Sequence, residues 1–122
     1  MPGFRAYQQL EHSDCGITCI RMVAGFWGCR LSLQRLRQLC DMSRAGVSIG
    51  ELTAGLEHVG LHAVAARLPR AEATRMPLPA ILYWKQNHFV VLYGADSRGR
   101  YFRIADPANG KVKVPAEEFY RR

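Results

Sequence analysis

A chain of 122 residues that is 48% hydrophobic suits one compact domain around a single core. It contains no uninterrupted apolar run of about 18 residues, which excludes a membrane-spanning helix. Met1-Pro2-Gly3-Phe4-Arg5 also lacks the apolar stretch and cleavage site of a secretory signal, so a cytoplasmic domain is expected. Lys and Arg outnumber Asp and Glu by 17 to 10, which favours anionic partners. The arginines are scattered, with neither an aromatic ladder nor a basic helix beside them, so nucleic acid is not expected; an acidic peptide or an anionic leaflet suits the charge better.

Gly and Pro punctuation divides the chain into a helical half and a strand half, an α+β layout. From Cys15 to Trp27 apolar side chains fall on both faces: Cys15, Cys19, Met22 and Phe26 on one, Ile17, Ile20, Ala24 and Trp27 on the other. A helix apolar all round is a buried, central one, with Trp27 and later Trp84 as core aromatics. From Ser32 to Cys40, Leu33, Leu36 and Cys40 recur at i, i+3, i+7 among polar residues, predicting an amphipathic surface helix capped by Ser32. A third helix opens at the capping box Ser48-x-x-Glu51, is expected to bury Ile49, Leu52, Leu56 and Val59, and stops at Gly60.

Beyond Gly60 the period becomes strand-like over His62 to Arg67, Ala80 to Trp84, His88 to Tyr93, Tyr101 to Ala105 and Lys111 to Val114. Met76-Pro77-Leu78-Pro79 is a stiff lead into Ala80, and Asp96 to Gly99 and Pro107 to Gly110 are turn chemistry. Short turns predict antiparallel neighbours. Ala116 to Arg122 reads as the first turns of a helix.

The four cysteines, Cys15, Cys19, Cys29 and Cys40, lie in the first third of the chain. A domain with this apolar content needs no disulfide staples, and no CxxC or His-x-x-x-His completes a zinc site, so packed free thiols are expected and no metal. Cys15 differs from the others in its place. It follows Ser13-Asp14, either of which can cap a helix, and precedes Gly16, which offers a substrate carbonyl no obstruction. A helix N-terminus favours the thiolate over a thiol of pKa ~8.5, making Cys15 the expected exposed, reactive cysteine. On this local pattern alone, a buried cysteine that begins a helix is an equal reading.

Other residues add to it. Gln9 stands upstream, placed so that its amide and the Cys15 N–H form an oxyanion hole. His88 opens the apolar strand Phe89-Val90-Val91-Leu92, where an imidazole is costly without a partner. Asp106 ends the next strand, held extended by Pro107, and suits the role of orienting that ring. His12, His58 and His62 belong to no such pattern, and Thr18 is expected to point away from the catalytic face.

The order Gln, Cys, His, Asp resembles papain-like cysteine peptidases. More closely, Gln9 to Met22 (Gln-Leu-Glu-His-Ser-Asp-Cys-Gly-Ile-Thr-Cys-Ile-Arg-Met), Pro79 to Leu82, Asn87 to Leu92 and Asp106 to Val112 resemble bacteriocin-processing peptidases, the N-terminal domains of peptidase-containing ABC transporters. The resemblance implies a papain-like fold of N-terminal helices on a C-terminal antiparallel sheet, with residues 1–122 forming one peptidase domain at the N-terminus of a longer transporter. It implies a cysteine endopeptidase on the cytoplasmic side of the bacterial inner membrane that cuts a leader peptide after a Gly-Gly pair. Cys15 is then the nucleophile, His88 the base, Asp106 its orienter and Gln9 the oxyanion donor, while Asp14 and Gly16 border the substrate. No cofactor is implied in this domain; ATP belongs to a separate nucleotide-binding domain, a partner together with the transmembrane domains. A catalytically silent, cargo-binding domain and another papain-fold amide hydrolase are the competing readings.

Overall fold

The computed structural model describes residues 4–9, 14–39, 48–65, 76–84 and 88–121. Helices α1 (Cys15–Phe26), α2 (Leu33–Leu39) and α3 (Ile49–His58) precede strands β1 (Ala80–Trp84), β2 (His88–Ala95), β3 (Tyr101–Asp106) and β4 (Gly110–Pro115), and α4 (Ala116–Arg121) follows. The strands form one sheet in the order β1-β2-β3-β4, each neighbour antiparallel. This is the expected α+β arrangement, with α1 lying against β2.

Local signals explain the helix ends. The Ser48 hydroxyl accepts from the Glu51 N–H at 3.1 Å, and the Glu51 carboxylate accepts from the Ser48 N–H at 3.0 Å, completing the capping box. Ser32 likewise accepts from the Arg35 N–H at 3.1 Å. At the other ends, Gly28 and Gly60 take φ of 93° and 90°. Their amides and those of Cys29 and Leu61 turn back onto the last helical carbonyls, satisfying groups that would otherwise be orphaned.

Two apolar layers flank the sheet. On the helix side, Phe89, Val91 and Ala105 pack with Ile17, Cys19, Ile20, Met22, Leu36 and Leu52. On the other, Val90, Leu92, Phe102 and Ile104 pack with Trp84 and with Phe119 of α4, whose ring stacks on Phe102 at 3.9 Å between centroids. Each fully buried side chain of this size contributes roughly 1.5–3 kcal/mol, so α1 and β2, lined by such residues on their facing surfaces, form the stiff centre of the domain.

Three expectations need correction, and a fourth falls outside the described residues. Residues 62–65 pair with no strand, and 66–67 lie outside the described residues. Trp27 is not a core aromatic: it stands past the end of α1, 60% exposed, touching Phe26 edge-on. Ile49 is 49% exposed because it occupies the first turn of α3, ahead of where that helix meets α1. Cys40, expected to end the second helix, lies outside the described residues.

Candidate active site

His88 and Asp106 meet because of strand register. Val91 pairs with Ala105, so the start of β2 lies beside the end of β3. The His88 ring and the Asp106 carboxylate are 2.7 Å apart, Nε2 to Oδ1. With Asp106 ionised, Nε2–H donates, and Nδ1 is the ring nitrogen left for chemistry.

Asp106 is 5% exposed and heavily bonded. Its Oδ1 also accepts from the Ala108 N–H at 2.8 Å, and its Oδ2 from the Asn109 side-chain amide at 3.1 Å. Burial pushes this carboxyl up, but hydrogen bonds from His88, Ala108 and Asn109 outweigh it and hold the group below the usual carboxylate range. The carboxylate is thereby kept charged, and its orientation is fixed from both oxygens.

Gln9 reaches the same turn through its backbone, its N–H donating to the Pro107 carbonyl at 2.9 Å. The Gln9 side-chain oxygen is buried. Cys15 is the first residue of α1, as expected, with Gly16 buried behind it in the first turn. The expected exposure of Cys15 is not found: it is 8% exposed, while Cys29 is the more open thiol. Among the described residues no hydrogen bond joins Cys15 Sγ to the His88 ring.

Asp14 departs from its expected capping role. It occupies the N-cap position of α1 but makes no side-chain capping bond. Its carboxylate, 8% exposed, instead meets Arg37 Nη2 of α2 at 2.5 Å. Asp14 thus ties α2 to the start of α1 and leaves the helix's first amides to other acceptors. Ser13 and His12 lie outside the described residues. His58 and His62 are exposed, His62 standing 4.0 Å from Glu57.

Cys19, one turn into the helix, is fully buried. Burial first, then the nearby Cys15 and Asp106, pushes its thiol well above the ordinary range. Cys19 therefore remains a neutral, inert thiol. Its interaction with both residues also puts the nucleophile candidate and the carboxylate in one neighbourhood. Thr18 is 1% exposed, and its hydroxyl has no hydrogen-bond partner among the described residues.

Residues 4–122 match the profile of the peptidase C39 family. The chain belongs to that family. It is 33% identical over 113 residues to the probable microcin-H47 secretion/processing ATP-binding protein MchF of Escherichia coli, and 34% identical over 119 residues to the lactococcin-G-processing and transport ATP-binding protein LagD of Lactococcus lactis subsp. lactis. Each match covers 93% of this chain but only 16% of the relative. A solved double glycine motif protease from an AMS/PCAT transporter, in complex with the leader peptide, superposes with a TM-score of 0.87 at 34% identity, covering 96% of this chain and 83% of that one. The peptidase domain of Streptococcus ComA shares the fold, with a TM-score of 0.79 at 19% identity, covering 98% and 92%.

As a member of the peptidase C39 family the chain is a cysteine peptidase, and its helices on a four-stranded antiparallel sheet are the papain-like architecture of that family. Two residues bonded to the candidate site residues were not singled out from the sequence. Asn109 follows Asp106 in the turn Asp-Pro-Ala-Asn-Gly, where side-chain bonding between turn residues is a readable signal. Arg37 carried none, since its contact with Asp14 spans 23 residues of sequence.

Proposed function

We propose that this chain cuts the leader from a secreted peptide precursor after a Gly-Gly pair, with Cys15 as nucleophile, His88 as acid–base and Asp106 as the group that orients it. The observation that carries this reading is the His88–Asp106 contact of 2.7 Å in a peptidase C39 domain whose central helix starts at Cys15. The leader-bound double glycine motif protease, at 34% identity, supports the substrate class.

The steps balance with protein groups and water alone. The Cys15 thiolate attacks the carbonyl carbon of the second glycine, and the oxyanion is met by the Cys15 N–H and the Gln9 side-chain amide. His88, protonated, gives its Nδ1 proton to the leaving amine. It then takes a proton from water, whose attack on the thioester releases the leader and restores the Cys15 thiolate beside protonated His88. Asp106 keeps Nε2–H engaged throughout, so Nδ1 stays turned to the reacting atoms. Gly16 borders the substrate without crowding it, and Asp14 acts beneath the site through Arg37. The domain needs no metal or organic cofactor.

The chain spans 16% of the relatives it matches, and we assign it the N-terminal peptidase position of a longer ABC transporter, on the cytoplasmic side of the bacterial inner membrane. Its partners there are the transmembrane and nucleotide-binding domains, ATP acting at the latter; nucleic acid is not a partner.

A second reading is a domain that binds cargo without cutting, favoured by the 8% exposure of Cys15 and by the lack of an Sγ–imidazole hydrogen bond. Such bonds often tighten only when substrate is bound. Incubating the chain with a synthetic Gly-Gly leader precursor and reading products by mass spectrometry decides between them. The expected result is one cut after the second glycine, absent in Cys15→Ala at unchanged helical content. A precursor bound but left intact by the wild type would establish the silent domain instead.

A further inference from the structure

Beyond Ala105, one face of the β3–β4 pair is exposed among the described residues. Along β3, exposed Tyr101 and Arg103 alternate with buried Phe102 and Ile104; along β4, exposed Lys111 and Lys113 alternate with Val112 and the buried Val114. The buried set faces α4. The exposed set lies on the opposite face, where the α1 side of the core covers β2 and Ala105 but leaves Tyr101, Arg103, Lys111 and Lys113 open.

The composition of this open face is one-sided. Arg103 sits directly opposite Lys113 in the ladder, an arrangement of like charges that weakens strand pairing. Among the described residues no carboxylate pairs with Arg103, Lys111 or Lys113, although four ion pairs occur elsewhere. Aromatic rings hold the lysines in place: Lys113 Nζ is 4.5 Å from the Tyr101 ring centre and Lys111 Nζ is 5.5 Å from that of Tyr93. Arg103 lies across Gly94, where a Cβ would stand 3.2 Å from its Cδ, so the missing side chain leaves room for the guanidinium stem on β2. Three cations gathered this way raise the local positive potential, which an anionic partner would relieve.

Position selects the partner. Lys111 pairs with Ala105, the residue before Asp106, so along the ladder the stripe begins one residue from Asp106 and runs away from it. We infer that Arg103, Lys111 and Lys113, with Tyr93 and Tyr101, dock an acidic segment of the peptide substrate. This rests on the peptidase reading above and adds a determinant to it: two glycines at the cut supply almost no contact area, and affinity comes from charge read at a distance from the scissile bond.

The probe is a fluorescein-labelled 20-residue peptide rich in Glu and lacking any Gly-Gly pair, compared with its Glu→Gln counterpart by anisotropy at low salt. The acidic peptide should bind the wild-type chain, and the triple variants Arg103→Gln/Lys111→Gln/Lys113→Gln and Arg103→Glu/Lys111→Glu/Lys113→Glu should weaken it by about tenfold and more than tenfold, three exposed charge pairs each contributing modestly. Both sets of substitutions are on the surface, and unchanged thermal midpoints will show that the variants fold. Equal binding of the Gln peptide, or affinity unaltered in both variants, overturns the inference. So does preference for vesicles containing phosphatidylglycerol over the acidic peptide, which would make the face a membrane contact. Cleavage of a neutral Gly-Gly substrate is measured alongside. A chain that cuts it but ignores peptide charge loses only this inference, whereas one that binds the acidic peptide and never cuts loses the peptidase reading.

Discussion

The two halves of the active site are held by different physics. On the sheet side, Asp106 is fixed by three donors, from His88, Ala108 and Asn109, and this half is set by hydrogen bonds in a partly solvated corner. On the helix side, Cys15 is placed by the packing of α1, whose Cys19, Ile20 and Ala24 are 0% exposed, and by the Asp14–Arg37 ion pair at its start. Hydrogen bonds aim a ring to within a few degrees and respond to charge and pH. Packing sets the height of a helix and responds to volume. The nucleophile and its base should therefore fail differently when each half is disturbed.

The largest effect is expected from the packed half. Ile20→Ala opens a cavity in the core around α1, and should cost ~2–5 kcal/mol of folding stability by urea denaturation. A cost below ~1 kcal/mol would show that α1 is not the rigid element. Gln9→Ala should leave stability nearly unchanged and lower kcat by roughly 10²-fold, with little change in KM, because an oxyanion donor acts on the transition state. A change confined to KM would place Gln9 in substrate binding instead.

The hydrogen-bonded half should bend before it breaks. In Asp106→Asn the new amide can keep its oxygen toward His88, but its NH2 then meets the Asn109 NH2. A half-turn of the exposed Asn109 amide relieves the clash. A loss in kcat/KM of about tenfold or less is expected, against roughly 10³-fold for Asp106→Ala, which leaves the ring unoriented. Equal losses would mean that the negative charge, not the orientation, is what His88 requires. Asn109→Ala removes one exposed donor and should lower kcat/KM by about fivefold, the worth of one ordinary hydrogen bond.

The smallest effect concerns acid. Asp106 titrates lower in the folded chain than in the unfolded one, where a carboxyl has pKa ~3.9. Its contribution to stability is complete above that value and is lost as pH falls through the lower, folded one. Urea midpoints recorded from pH 5 down to pH 2 should fall more steeply for the wild type than for Asp106→Asn. Parallel curves would show that other carboxylates govern acid unfolding.

What the sequence made legible was whatever is written in local chemistry. The strands from Ala80 onward were placed to within two residues because turns rich in Asp, Pro, Asn and Gly bound them. The capping box at Ser48 and the glycine stop at Gly60 bounded α3 in the same way. Of the site, the pairing of His88 with Asp106 was legible because an imidazole opening an apolar strand demands a partner. Apolar residues with no local cue misled: Trp27 and Ile49 carry the periodicity of their helices but sit at helix ends, where no neighbour covers them. His62 to Ala65 has strand composition yet joins no strand among the described residues. Asp14 was read as a cap because the cap is a local rule, and the competing Arg37 arrives from another helix.

The bond from the Gln9 amide to the Pro107 carbonyl joins a segment ahead of the first helix to the turn after the third strand. Contacts of such sequence separation close late, because the loop entropy must be overcome before they form. During synthesis, Gln9 and Cys15 emerge from the ribosome long before Asp106 and Pro107 exist. On the proposed roles, a nascent chain therefore displays Cys15 with neither Asp106 to orient His88 nor the anchor for Gln9, and cleavage must wait until both ends of the domain are folded together.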